Sequence, residues 1–268
     1  MVQVAWFKGV VTSMEHTQHT VTARLLRRRG FFRPSRGLQA RVRRVPSLTD
    51  RELELMWTLF EKSYAGARRE IFERDLAEKN HVIVLKDASG LVQGFSTLLK
   101  MEVAEHDALA VFSGDTIISP GFWGQTALQR AFLWYLLAQR HARAGKPVYW
   151  FLITKGYRTY LLISRYFPNH WPRHDDLIPV LESGVLDVLC RRKFGEAWDL
   201  SSGLLRYAGT PSAVRLSAEL ADVPPRMLRD PDVKFFLARN PKWAEGDELC
   251  CLARADDDFV ECATRIFL

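Results

Sequence analysis

The chain has 268 residues and 47% hydrophobic content, enough to bury the core of one large domain or two small ones. No run approaches the roughly 18 apolar residues that a membrane span needs. The opening "MVQVAWFKGVV" lacks the h-region and cleavage site of a signal peptide, so a cytoplasmic protein without a transmembrane segment is expected. The net charge is +7, and Arg24, Arg27, Arg28, Arg29, Arg33, Arg36, Arg41, Arg43 and Arg44 follow one another with no acidic residue between them. Such a stretch suits nucleic acid, an acidic carrier protein, the phosphates of a cofactor, or no partner beyond solvent. No RNA-binding aromatic motif or zinc-finger spacing accompanies it, which argues against nucleic acid. The four cysteines, Cys190, Cys250, Cys251 and Cys262, have no C-x-x-C spacing. They read as reduced, buried thiols, with no metal site and no disulfide framework.

Residues 1–40 read as a basic arm, with the linker-like "RRRGFFRPSRG" and a lone pair of histidines, His16 and His19. Arg41 to Val45 reads as a strand. "TDRE" then makes a capping box, Thr49 as N-cap and Glu52 three residues on, before a helix marked by Leu55, Met56, Leu59, Phe60 and Tyr64. A second helix is expected over Arg68 to Lys79. "HVIVLKD" and "LVQGFSTLLKMEV" read as a hairpin closed by "ASG". Leu109 to Ile118 is a further strand. A helix from about Gln125 to His141 follows, with Leu128, Ala131, Phe132, Tyr135 and Leu136 inward. "PVYWFLITKG" reads as a buried strand and "YRTYLLISRYF" as a helix stopped by Pro168.

In the C-terminal third a helix is expected over Gly184 to Trp198. "GLLRYAG" and "DELCCLARA" read as strands that close the same sheet. Between them, residues 211–246 read as a helical insertion of two short helices parted by Pro224 and Pro225. The alternative is a separate small domain. The predicted class is a mixed α/β fold, a mainly antiparallel sheet flanked by helices.

This order of elements, together with the turn "SPGFWGQTALQRAF", resembles the GCN5-related N-acetyltransferase (GNAT) fold over residues 41–168. In that family a strand ends in Pro and an aromatic, and an Arg-Gly-Gln-Gly-x-Gly run then opens a helix whose backbone N–H groups hold the pyrophosphate of coenzyme A. Pro120, Phe122, Gly124 and Gln125 match. Trp123 stands at the Arg, and Thr126 and Leu128 stand at two glycines. The resemblance implies a GNAT-like domain over residues 41–268. It also implies a cofactor turn made of Ile117, Ser119, Trp123, Gly124, Gln125 and Thr126, with a strand bulge sought at Ile117 to Ser119. Side chains in place of glycine narrow the phosphate cradle, and Trp123 removes a cation.

The same resemblance implies a Tyr in the helix after the fifth strand that protonates the leaving thiolate. Leu162 falls at its register. Tyr160 is offset by two and Tyr157 is a substitute. Asp115, a carboxylate in an otherwise apolar strand, is the expected base. Glu102, Glu105, His106 and the "NHWPRHDD" loop read as polar surroundings of the site. No nucleophile elbow, Walker loop or H-E-x-x-H run exists. The expected activity is acyl transfer from a thioester, acyl-coenzyme A or an acyl carrier protein, to a small-molecule amine. The rival is a non-catalytic binding protein built on the same scaffold.

Overall fold

The computed structural model describes residues 37–143, 145–210, 213–216 and 221–267. Arg24 to Arg36, His16 and His19 therefore lie outside the described residues, as do 211–212 and 217–220 of the expected insertion. Strand β1 (Gln39–Arg44) opens the fold and pairs antiparallel with β3 (His81–Lys86). Helix α1 (Asp50–Ser63) lies between them in sequence. Its capping box is formed: the Thr49 hydroxyl accepts from the Glu52 N–H at 3.2 Å, and Glu52 Oε2 accepts from the Thr49 N–H at 2.9 Å. The buried Glu52 also pairs with Arg43 at 3.2 Å and Lys86 at 3.0 Å, so one carboxylate starts the helix and fastens it to two strands. A two-residue strand, β2 (Tyr64–Ala65), and helix α2 (Arg69–Ala77) follow.

Strand β4 (Val92–Val103) pairs antiparallel with β3 and with β5 (Ala108–Ile118). After helix α3 (Ala127–Ala142), strand β6 (Val148–Thr154) joins β5 in parallel, as a crossover through a helix requires. Helix α4 (Tyr157–Tyr166), the short β7 (His170–Trp171) and helix α5 (Val180–Phe194) come next. The chain ends through β8 (Trp198–Asp199), β9 (Leu204–Leu205), β10 (Arg215–Leu216), α6 (Pro231–Arg239), β11 (Glu248–Arg254) and α7 (Asp257–Phe267). The main sheet runs β1-β3-β4-β5-β6-β11-β9-β8, with β7 also paired to β11. The mixed α/β class expected from the sequence, a mainly antiparallel sheet flanked by helices, is the one observed.

Helices cover both faces of the sheet. On one, α3, α4, α6 and α7 pack over Leu98, Val111, Trp150 and Cys251. On the other, α1 and α2 pack over Val82, Val84 and Phe95, and α5 over Phe112, Phe151 and Cys250. Adjacent Cys250 and Cys251 thus enter opposite cores, as strand alternation dictates.

Several expectations are corrected. The helix expected over Gly184 to Trp198 begins four residues earlier. Pro179 precedes its first turn, and Gly195, at φ +56°, ends it in a conformation other residues resist. "GLLRYAG" contributes only Leu204 and Leu205 to the sheet. In the insertion the described α-helix is Pro231–Arg239, N-capped by Asp230. The helix α7 was not anticipated, although its signals are present: the Asp256 side chain accepts from the Phe259 N–H at 3.0 Å, and acids fill the first turn.

Candidate active site

The pairing of β5 with β6 stops at Ser113 and Leu152. Beyond it β5 stays with β4 as far as Ile118, while the end of β6 stays with β11. The two halves of the sheet therefore splay apart at Gly114. There the β4–β5 register also slips. Ser96 faces Thr116 and Leu98 faces Ser113, so Thr97 stands opposite both Gly114 and Asp115. This is the bulge expected near the cofactor turn, found three residues before Ile117. The reason is steric: a Cβ on Gly114 would lie 2.6 Å from Thr97 Oγ1 and 3.1 Å from Lys79 Cε, so only glycine fits the extra position.

On the α3–α4 side the splay opens into a cleft. Its floor carries Ser96, Ser113 and Thr116, and its walls come from α3, α4 and β6. On the α2 side lies a cluster of charges. The Lys79 ammonium is buried and donates to Asp75 Oδ2 at 2.5 Å and to the Asp75 carbonyl at 3.0 Å. Glu248 is ion-paired with Lys155. Asp115 sits among these groups. Burial, and then the charge of Asp75, raise its pKa; Lys79 and Lys155 pull the other way and Glu248 adds to the rise. The net result is a carboxyl pushed up to about 7. Burial also pushes the Tyr64 phenol up, aided by the charges of Asp115 and Glu248. Tyr64 belongs to the small β2–β10 ribbon, which joins the α1–α2 connection to the segment before α6.

In the turn after β5, Gly124 adopts φ +85°, a left-handed conformation that suits glycine. Thr126 is the N-cap of α3 without a side-chain capping bond, and no acidic residue sits in the first turn of α3 or of α4. Trp123 is 41% exposed; its indole N–H donates to the Ile118 carbonyl at 2.8 Å, and the Arg158 guanidinium lies 5.2 Å from its ring centre. Gln125 is used structurally, its Oε1 accepting from the Leu38 N–H at 2.8 Å. Ser119 bonds to Gln93 at 3.1 Å. Ile117 pairs with Phe95 and is buried with the α1–α2 core, away from the cleft, so it is not among the residues that could touch a ligand there.

Helix α4 corrects the tyrosine assignment. Its cleft-lining residues are Thr159, Leu162 and Tyr166, at the i, i+3, i+7 spacing of one face. Leu162, where the resemblance led a Tyr to be expected, does line the cleft and has no proton to give. Tyr160 points elsewhere: its hydroxyl donates to the Pro172 carbonyl at 2.9 Å, and its ring packs with Phe235 and Phe236. Burial drives its pKa far up. Tyr157 is buried and faces Arg158, with 4.9 Å from guanidinium to ring centre, and it does not line the cleft. Sequence reasoning missed Tyr166, Thr97 and Gly114. The helical spacing from Leu162 could have found the first. In the "NHWPRHDD" loop, His170 bonds to the Phe167 carbonyl at 2.7 Å, Asp175 pairs with Arg173 and His174 lies 3.3 Å from Asp232. Among the described residues no three His, Cys, Asp or Glu side chains gather as a metal site.

No protein-family model matches the chain, and no curated protein sequence matches it. Solved structures resemble part of it. A GNAT family N-acetyltransferase from Escherichia coli in complex with CoA is 17% identical, over 48% of this chain and 68% of that one, with a TM-score of 0.34. An acyl-CoA N-acyltransferase from Pseudomonas aeruginosa is 19% identical, over 48% and 87%, with a TM-score of 0.38. An aminoglycoside acetyltransferase from an uncultured soil metagenomic sample is 19% identical, over 54% and 99%, also with a TM-score of 0.38. No helix among the described residues is long and apolar enough to cross a membrane.

Proposed function

We propose that this protein transfers an acyl group from a thioester, acyl-coenzyme A or an acyl carrier protein, to a small-molecule amine. The observation that carries this reading is the splay of β5 from β6 at Gly114, with a cleft on one side and Asp115 on the other. A thioester lying in the cleft brings its carbonyl to the bulge, where backbone N–H groups freed from regular pairing support the oxyanion. Its phosphates run toward the amides at Gly124 to Thr126 and the first turn of α3. Arg158, held over Trp123, adds the cation that the turn itself lacks.

The amine approaches from the α2 side. Its nitrogen attacks the thioester carbonyl carbon, the new C–N bond forms, and Asp115 takes the amine proton directly or through a water. The C–S bond then breaks, and the electron pair leaves on sulfur. Tyr166, on the cleft-lining face of α4, replaces Tyr160 as the proton donor to that thiolate. A base with a pKa of about 7 suits this task near neutral pH, because it accepts and releases the proton with little bias.

The test is amine-dependent release of free thiol from acyl-coenzyme A and from acyl carrier protein, read by a thiol reagent across a panel of primary amines. Release that needs both the amine and Asp115 supports transfer. Thioester binding without release, on any amine, means that the scaffold binds and does not catalyse.

A further inference from the structure

The face of the splay turned toward α2 carries more charge than the transfer step uses. Lys79 follows α2, and its side chain is fully buried. Its ammonium is held by Asp75 at 2.5 Å and lies 5.8 Å from the centre of the Phe112 ring. Lys193 of α5 approaches the same ring at 5.7 Å and pairs with Glu78 at 2.6 Å. Across the gap, Lys155 after β6 pairs with the buried Glu248 of β11. Each ammonium of the cluster therefore already faces a carboxylate. Asp115 is the carboxylate left over. Among the described residues it has no ion pair, and Lys79 and Lys155 act on it only as charges at a distance.

A second observation comes from β4. Thr97 is 1% exposed, and its Oγ1 has no hydrogen-bond partner among the described residues. It lies on the Asp115 side of the bulge, 2.6 Å from where a Cβ of Gly114 would stand. A buried hydroxyl without a partner costs stability, so a ligand N–H that supplies one is favoured there. Asp115, Tyr64, Lys155 and Tyr207 are half-buried, so the cluster meets solvent through these four, while Thr97, Lys79 and Glu248 are buried. Burial raises both phenols, aided by the charges of Asp115 and Glu248 at Tyr64 and of Glu248 at Tyr207, so both stay neutral.

We infer that this cluster binds the acceptor as an ammonium ion paired with Asp115, and that it selects amines carrying no acid group. The inference rests on the proposed transfer reaction and names its acceptor class. Asp115 supplies the counter-charge, and Thr97 Oγ1 accepts a further N–H. Asp75, Glu78, Asp115 and Glu248 then stand against Lys79, Lys193, Lys155 and the bound ammonium. An acceptor's own carboxylate finds no such partner. Every lysine here is taken, and the surrounding acids repel it, so it loses hydration without compensation. Loss of one proton from the ammonium to solvent gives the neutral amine that attack needs, with Asp115 ready to take the next.

The experiment measures binding of propylamine and of β-alanine to the full chain by calorimetry at about pH 8, with and without coenzyme A, and transfer from acetyl-coenzyme A in parallel. The two amines have chains of equal length, one ending in a methyl and the other in a carboxylate. Propylamine is expected to bind at least about tenfold tighter than β-alanine. Asp115→Asn should bring the two close to level. Glu248→Gln leaves Lys155 without its carboxylate and should shrink the ratio several-fold. Should that variant not fold, Lys155→Met, which leaves Glu248 as a second unpaired anion, should widen the ratio instead. Equal affinities for the unaltered chain, or binding of neither amine, overturn the inference. So does a preference that folded Asp115→Asn and Glu248→Gln or Lys155→Met variants leave unmoved. The two readings fail separately. β-Alanine transferred as fast as propylamine sinks the charge selection alone. Tighter propylamine binding with no acetyl transfer supports the ammonium site and sinks the catalytic reading.

Discussion

The Arg158 guanidinium lies 5.2 Å from the centre of the Trp123 ring. Trp123, in the turn before α3, thus holds a cation supplied by the first turn of α4. Cation–π contacts contribute about 0.5–1 kcal/mol at exposed sites, and the pairing costs Arg158 none of its charge.

If the turn holds the donor's phosphates as proposed, Arg158→Ala is expected to raise KM for the donor about three- to tenfold with a smaller effect on kcat, because such phosphates would be bound alike before and during transfer. Trp123→Ala, which removes the ring and keeps the cation, should do less. Raising salt should shrink the Arg158 effect. Steady-state kinetics at two ionic strengths decide this; a purely kcat effect would place Arg158 elsewhere in the mechanism.

As the proposed base, Asp115 should give the reaction its pH dependence. The base acts as the carboxylate, so kcat/KM is expected to rise as pH increases through about 7 and level off above it. Asp115→Asn should lose that rising limb and at least about tenfold of turnover. A variant with an unchanged profile would remove Asp115 from the reaction.

The same residue makes a stability prediction of opposite sense. Its folded pKa lies above the unfolded value of about 3.9, so between the two the folded chain binds more protons than the unfolded one. Stability from this group falls as pH rises from about 4 to about 7 and is flat beyond. Asp115→Asn is then expected to stabilise the protein at pH 8 and to leave it nearly unchanged at pH 4, with Asp75, Lys79, Lys155 and Glu248 still in place. Thermal melts at the two pH values read this directly.

Two tyrosines of α4 should separate cleanly. Tyr160→Phe removes the donor to the Pro172 carbonyl, so it should cost about 1 kcal/mol and lower Tm by a few degrees without a comparable loss of turnover. Tyr166→Phe should lower turnover about tenfold in the folded protein. The reverse pattern would restore Tyr160 as the acid.

Thr49→Ala opens the capping box of α1 and should destabilise by about 1 kcal/mol. Activity per folded molecule should be unaltered, since Thr49 stands at the opposite end of α1 from Tyr64, whose phenol feels the charge of Asp115. A chemical denaturation midpoint that does not move would mean that the Arg43 and Lys86 pairs of Glu52 hold the helix start unaided.

Local chemistry made much of the fold legible. Thr49 and Glu52 announced α1 because a capping box acts over four residues. The apolar runs at His81 to Lys86 and Val148 to Thr154 announced buried strands, and Leu128, Phe132 and Leu136 marked the inner face of α3 by spacing alone. Asp115 stood out as a carboxylate in an apolar strand, and Gly124 as the turn glycine. These are properties of a residue and its near neighbours in the chain. The bulge at Gly114 was not such a property. It depends on Thr97 and Lys79, 17 and 35 positions away, closing the space a Cβ would need. Nor could spacing choose among Tyr157, Tyr160 and Tyr166. Which side of α4 meets the splay is set by how α4 packs against the sheet and against α6, so Phe235 and Phe236, more than 70 residues on, claim Tyr160 for the core and leave Tyr166 to the cleft. Arg158 meets Trp123 for the same reason: two helix starts, 30 residues apart in sequence, come together where the sheet divides.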